Sequence, residues 1–323
     1  MDLACGILTS FRSRNWPILR MSSRSQRVIE LLQQGKNLER AGVPIANGRF
    51  DVRGISLGRP QSGARRQFGN WAFDELLELV EFTGVSITNV DFSNGSLPGL
   101  RFKNCFISNC VFASANLREW RLWGTRIADS SFVKCDLRDS ALGGDDEAPN
   151  TWSHCDFSEA DMRATTHSAA WMSHCSFVNT RLDKVDFWGT QFEYCQFSGS
   201  LRNVVFAASM DGDKVKRVNH MLHVDFSNAS LHDVWFRNLD LDTVVWPLGS
   251  DHIVVSDYPR ALSRVIGRLE RRADMTSRQL AAMVGVWLKS VGKNQSRGVV
   301  SMLDLRECGG SEAVDLFKRC LEE

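Results

Sequence analysis

In residues 82–123, FTGVSITNVDFSNGSLPGLRFKNCFISNCVFASANLREWRLW, an apolar residue returns at every fifth position: Phe82, Ile87, Phe92, Leu97, Phe102, Ile107, Phe112, Leu117 and Leu122. The frame continues through Ile127, Phe132, Leu137 and Leu142. It resumes at Trp152, Phe157, Met162, Met172, Phe177, Leu182, Phe187 and Phe192, ends at Phe197, and is broken only at Glu147 and His167. An amphipathic helix repeats its apolar face every three or four residues and a half-buried strand every two, so a period of five marks an internal repeat. Two positions before the apolar residue, small or β-branched side chains recur, among them Val85, Val90, Gly95, Cys105, Cys110, Ala115, Thr125, Ser130, Cys135, Ala160, Cys175 and Thr190. Both positions are expected inside. Their neighbours are mostly Asp, Asn, Ser, Thr, Arg or Gln, as solvated turn and edge positions require.

The copies Val90-Asp91-Phe92-Ser93-Asn94, Ala115-Asn116-Leu117-Arg118-Glu119, Cys135-Asp136-Leu137-Arg138-Asp139 and Cys155-Asp156-Phe157-Ser158-Glu159 resemble the pentapeptide-repeat family, whose consensus is roughly A-(D/N)-(L/F)-(S/T/R)-X. The resemblance implies a mainly β fold, a right-handed quadrilateral β-helix with four pentads per coil, flanked by helices. Residues one coil apart would then stack at the inter-strand spacing of about 4.7–4.9 Å. On an unbroken count, Cys135, Cys155, Cys175 and Cys195 form one column above Ala115 and Gly95. Leu97, Leu117, Leu137, Phe157, Phe177 and Phe197 form a second, and Phe92, Phe112, Phe132, Trp152, Met172 and Phe192 a third.

Three segments are expected. Residues 1–70 are an extension with a short helix over 22–35, carrying Val28, Leu31 and Leu32 and ended by Gly35, and a partial repeat at Ile45, Phe50 and Ile55. Residues 71–247 are the β-helix, entered through Trp71–Phe82 as a helical turn covering the first edge. Within it, Gly143–Asn150 replaces one pentad with the frame intact and reads as an outward loop. After Phe197 the frame slips by one to Leu201 and Phe206, skips Asp211–His220, where Asp211–Arg217 reads as a second loop, and resumes at Met221 and Phe226. Residues 248–323 turn helical: Leu262, Val265, Ile266 and Leu269 follow the helical spacing, and Thr276-x-x-Gln279 reads as a capping box. A third helix is expected over Ser311–Leu321. These helices would cap the array and offer apolar surface for a homodimer.

The chain has 323 residues, 43 % hydrophobic and 24 % charged, in the range of soluble globular proteins. Its net charge of +1 divides as +4 over residues 1–81, −5 over 82–246 and +2 over 247–323. None is extreme, and direct nucleic-acid binding is not expected. The sequence has no run of 18 or more apolar residues of the kind that spans a membrane. Residues 1–20, rich in Arg and Ser, read as an overlong start preceding Met21 or as a transit peptide. Six of the nine cysteines sit two residues before a frame position, as reduced, buried thiols of a cytoplasmic protein would rather than a disulfide framework.

His154-Cys155 and His174-Cys175 invite a zinc site, but on the repeat's geometry the thiols point inward and the imidazoles outward. His167, with Glu147 one coil earlier on the unbroken count, has the elements of an acid–base pair but no accompanying nucleophile; a bulge or a buried histidine is the better reading. No G-x-x-x-x-G-K-[ST] pattern occurs. No catalytic residue, cofactor or metal ligand is assigned, and no enzyme is expected. Trp123, Trp171, Trp188 and Trp235 fall beside frame positions, where side chains meet solvent or pack beneath loops and terminal helices. With the loop charges Asp145, Asp146, Lys214, Lys216 and Arg217 they form the candidate interaction surface. The expected function is a scaffold that binds another macromolecule, a protein first. The alternative, implied by the best-understood branch of the family, is protection of DNA gyrase by imitation of duplex DNA. Charge weighs against it: Arg101, Arg121 and Arg181 share a column with Asp161 on the unbroken count, leaving the stacked Asp136 and Asp156 as the one acidic patch.

Overall fold

The computed structural model describes residues 22–57, 66–68, 71–73, 80–144, 147–208, 219–247, 249–292 and 295–322. The five-residue period builds a four-sided rod of parallel coils. The first face stacks Phe82, Phe102 and Leu122 in register. The second is an eight-stranded parallel sheet running from Ser86–Thr88 to Leu239–Asp240. The third and fourth are ladders of parallel bridges such as Asp91↔Val111 and Ser96↔Asn116. At most corners the residue two places after the apolar one turns in the left-handed region, from Asn89 (φ 57°) to Asn238 (φ 54°). Asn, Asp and Gly accept that conformation most readily, which explains their recurrence there.

The core is a set of columns. Along the third face Phe92, Phe112, Phe132, Phe157, Phe177, Phe197, Phe226 and Trp246 stack ring on ring, with successive centroids 5.1, 4.9, 5.1, 5.1, 4.6, 5.0 and 6.0 Å apart. The backbone spacing of the coils sets this distance, which also suits offset-stacked rings. Beside each column, the small residue two places earlier serves the backbone. The thiols of Cys105, Cys110 and Cys195 donate to the carbonyls of Phe82, Ile87 and Met172 at 3.2, 3.5 and 3.4 Å. Ser130 Oγ and Thr125 Oγ1 accept from the Cys110 and Cys105 amides of the coil below. A small side chain with a hydrogen-bonding atom satisfies backbone groups that the corner leaves open, so cysteine recurs there.

Two insertions overturn the unbroken count. Arg126 pairs with Thr151, Asp136 with Asp161 and Ala141 with Thr166, so the coil containing Gly143–Asn150 holds five extra residues. The segment is an added pentad, not a replaced one. Cys135 therefore belongs below Ala160 and not below Cys155. Phe132 stacks on Phe157 in place of Trp152, and the Leu97 column continues through Leu137 to Met162 and Leu182. At the second interruption Phe187 pairs with Phe206, one residue short of a coil, as the slipped frame predicts. Phe206 then pairs with Phe236, not Phe226, because ten further residues are inserted. Asn150 roots the first insertion. Its Oδ1 accepts from the Thr125 amide at 2.8 Å, and its Nδ2 donates to the Leu122 and Leu142 carbonyls at 3.0 and 3.3 Å.

At the N-terminal end helix α1, Ser23–Gln33, is capped by the Ser22 side chain and buries Val28, Leu31 and Leu32 in the rod's core. Gln33 Nε2 donates to the Glu81 carbonyl at 2.9 Å, so α1 covers the first coil. That is the role expected of Trp71–Phe82, whose residues 74–79 lie outside the description; Trp71–Phe73 pairs antiparallel with Arg66–Phe68. The partial repeat is also displaced. Phe50 and Asp51 pair with Val90 and Asp91, which turns Val52 and Leu57 inward, while Ile45 lies in a hairpin, 58 % exposed.

The C-terminal part has its own core, packed from helices α2 (Tyr258–Leu269), α3 (Met275–Ser290) and α4 (Met302–Glu322). Two corrections apply. Asp274, not a Thr276 box, caps α3 by accepting from the Ser277 amide at 2.8 Å. The non-helical backbone of Gly309 and Gly310 divides α4, so the expected helix over Ser311–Leu321 follows it and a further helical stretch from Met302 precedes it. The helical reading also passed over His252–Ser256 and Arg297–Ser301, an antiparallel strand pair. This part seats on the open edge of the rod: His252 Nε2 accepts from the Leu231 amide at 3.1 Å and Asp304 Oδ1 from the Asp233 amide at 2.9 Å. Those acceptors occupy donors that a bare strand edge would present for pairing.

Truncating Phe157 to Ala is expected to cost about 3–5 kcal/mol in denaturant unfolding, whereas the exposed Phe106→Ala should stay within about 0.5 kcal/mol. His167, fully buried beside Phe187, is pushed down to about 3 from 6.5 by burial. The unfolded chain binds its proton below pH 6.5 while the folded one refuses it down to about 3, so stability falls as pH drops through that window. The loss from this group should reach about 2 kcal/mol at pH 5. Unfolding of His167→Leu across the same range should lack that increment.

Candidate functional site

The first face and its corner with the second carry the four tryptophans of the sequence-predicted surface. Trp123 and Trp188 follow Leu122 and Phe187 on the first face, and Trp235 precedes Phe236 there. Trp171 opens the second face, just across the corner, and is 45 % exposed. Three of the rings are partly covered by partners on the same face. Lys103 Nζ lies 5.7 Å from the Trp123 ring, and the Arg237 guanidinium sits 5.7 Å from Trp188 and 5.0 Å from Trp235. Such cation–π pairs hold an indole upright on a flat face. No ring or cation contact of this kind is recorded for Trp171 among the described residues.

Both insertions leave the rod at this same corner. The first departs after Leu142 and returns through Ala148, whose carbonyl accepts from the Gly124 amide at 3.2 Å. The second departs after Ala208, whose amide donates to the Arg237 carbonyl at 3.1 Å. Two coils lie between them, turning at Ala169 and Gly189. Asp145, Asp146, Lys214, Lys216 and Arg217 fall outside the described residues. Sequence reasoning missed Asn150. Its signal was a full-sized amide at a position filled mostly by small or β-branched residues and thiols.

The paired His-Cys motifs do not converge. The imidazoles of His154 and His174 stack on the outside of the next corner at 4.7 Å, and Tyr194 and His223 extend the pile at 5.0 Å each. The thiols of Cys155 and Cys175 turn inward onto the Ile127 and Trp152 carbonyls. Burial pushes the Cys110 thiol up to about 12 and the Cys135 thiol well above its ordinary value, which keeps these two protonated and poorly nucleophilic. His167 has Leu142 below it, not Glu147; its Nε2 is 2.9 Å from Thr165 Oγ1. Among the described residues no group of three or more His, Cys, Asp or Glu is placed to hold a metal ion. A solvent-open hollow of about 580 Å³ between α2 and α3 is lined by Arg271, Arg272 and Arg278.

Charges on the fourth face are paired. On the fourth face Arg138 bridges Asp136 at 2.6 Å and Asp161 at 3.6 Å, and Asp161 also meets Arg163 at 2.7 Å and Arg181 at 3.2 Å. Burial raises the Asp161 carboxyl, but the hydrogen bonds and charge of Arg163 outweigh it and hold the group below its ordinary value. Asp136 thus stacks on Asp161, and the expected Asp136–Asp156 patch does not form: Asp156 lies on the third face, accepting from Ser158. Of the expected arginines only Arg181 shares the Asp161 column; Arg101 and Arg121 are on the first face.

No helix among the described residues is long and apolar enough to cross a membrane. No protein-family model and no curated protein matches the sequence. Among solved structures the chain is similar to HetL, a pentapeptide repeat protein involved in heterocyst differentiation regulation from the cyanobacterium Nostoc sp. strain PCC 7120. That likeness has 16 % identity and a TM-score of 0.26, over 61 % of this chain and 78 % of that one. It is similar to full-length QnrB1, a plasmid-mediated fluoroquinolone resistance protein, at 17 % identity and TM-score 0.21 over 49 % and 84 %. It is also similar to Rfr23, a pentapeptide repeat protein from the cyanobacterium Cyanothece 51142, at 10 % identity and TM-score 0.23 over 51 % and 90 %. Superpositions this loose carry no weight for function. The five-residue period, the coil-on-coil parallel pairing and the inward columns of Phe and Leu make this chain a pentapeptide-repeat β-helix with flanking helices.

Proposed function

We propose that this chain is a non-enzymatic scaffold that binds another protein along the corner between its first and second faces. The observation that carries this reading is the meeting of three tryptophans, Trp123, Trp171 and Trp188, with the roots of both insertions at one corner. Partly exposed indoles on a rigid, extended surface suit protein recognition, in which Trp is favoured at binding hot spots. The rod's interior is filled by stacked side chains, and its buried thiols and histidine are set up for packing rather than for proton or group transfer. The free cysteines support a reducing, cytoplasmic setting. Exposed Met275 and Val286 on α3 support a homodimer through the C-terminal helices.

Protection of DNA gyrase by DNA imitation is the second reading. Its support is the acidic run Asp145-Asp146-Glu147 in the sequence of the first insertion. Against it stands the pairing of Arg with Asp on the fourth face, since duplex DNA presents one uncompensated charge per about 1.7 Å.

Affinity capture with the full chain as bait should recover a partner that Trp123→Ala or Trp188→Ala releases; a partner indifferent to both substitutions removes the corner from this reading. In a gyrase supercoiling assay with a quinolone, the protein at micromolar concentration is expected to give no protection. Protection there would replace the scaffold reading with the second one.

A further inference from the structure

The geometry points to a more specific occupant of that corner: we infer that the two coils between the insertions seat a single amphipathic α-helix of the partner, an inference that rests on the scaffold reading above.

Width is the first ground. Gly144, Ala169, Gly189 and Ala208 turn this corner on successive coils, as the pairing of Ala141 with Thr166, Thr166 with Asp186 and Phe187 with Phe206 requires. Three coil steps separate the insertion roots by about 14 Å. An α-helix with its side chains is about 10–12 Å across and fills such a gap.

The floor is the second ground. At several other corners a long residue projects outward, as Lys134, Glu159, Lys184 and His154 do, all with positive φ. Here it is Ala169 and Gly189, so no long side chain stands in the seat. Trp188 rises on one side and Trp171 on the other, and Ser168 and Gln191 add no charge. An uncharged floor walled by indoles fits the apolar stripe of a helix.

The backbone supplies the third. An extended peptide usually docks by adding to a free sheet edge, but the strand of Trp171 is already paired on both sides, with Thr151–Ser153 and with Gln191–Glu193. The seat has no unpaired edge, and recognition must run through side chains, as in helix-in-groove docking. Finally, the rims differ in charge: Glu147 stands at the lower root, and Arg237 lies above Trp188. A helix with a basic flank toward Glu147 and an acidic flank toward Arg237 is the complementary ligand.

The test is a display selection of random peptides, about 20 residues long and so able to form a helix across the seat, on the full chain. Selected clones are then titrated against Ala169→Lys and, as a control at another corner, Ala164→Lys. Lysine already occupies corners with φ of 58° and 61° at Lys134 and Lys184, so the change blocks the seat without straining the fold. Enriched peptides should carry apolar residues at helical spacing, quench tryptophan fluorescence, and lose about tenfold or more in affinity on Ala169→Lys but not on Ala164→Lys. Proline-rich or extended consensus sequences, helical peptides indifferent to Ala169→Lys, or no clone binding below about 100 μM would each overturn the seat. The scaffold reading fails separately, when the natural partner ignores Trp123→Ala and Trp188→Ala.

Discussion

Parallel hydrogen bonding of each coil to the next is the interaction on which the rest of this protein depends. It holds the spacing at which phenylalanine rings stack, and it leaves corner groups that thiols and hydroxyls two places before the core residue then satisfy. It also demands a left-handed residue at the corners, a strain that Asn, Asp and Gly relieve and that His154, Tyr194 and Lys184 bear. Since each coil pairs with both neighbours, only the two ends are open. Helix α1 closes one with apolar contacts, and the C-terminal part closes the other through His252 and Asp304. Burial in this seam pushes the Asp304 carboxyl up to about 6.

The same pairing organises the surface. A side chain beside the core residue stays on one face as long as coils keep their length, and charges on the fourth face therefore line up in two rows, Asp136 and Asp161 in one and Arg138 and Arg163 in the other, that pair across the face. Loops can leave the rod only at corners without breaking the ladders, and both do so at one corner. There the indoles of Trp171 and Trp188 flank the short corner residues Ala169 and Gly189.

Much of the candidate site was legible residue by residue. Position beside the frame was enough to turn Trp123, Trp171, Trp188 and Trp235 outward and the cysteines inward. Their mutual arrangement was not legible. Trp123 and Trp188 are 65 positions apart, which on an unbroken count puts them on adjacent faces; the added pentad brings them to the same one. The same five residues separated Cys135 from Cys155 and Asp136 from Asp156. In the tail, helical periodicity identified α2 and α3 but missed the strands at His252–Ser256 and Arg297–Ser301, whose pairing is long-range.

Residue order alone dictated the side of the backbone on which each side chain lies and the rod's phenylalanine-rich interior, because a five-residue period returns an apolar side chain to the same position of every repeat; the four-sided coil was implied only by the resemblance to pentapeptide-repeat proteins. Which coil lies on which was decided only in the tertiary structure. An insertion of five preserves the period that a sequence displays, while hydrogen bonding responds to the backbone that arrives at the ladder and not to the number of residues spent reaching it. The columns, the ion ladder and the corner where tryptophans and insertions meet all follow from that choice of partner.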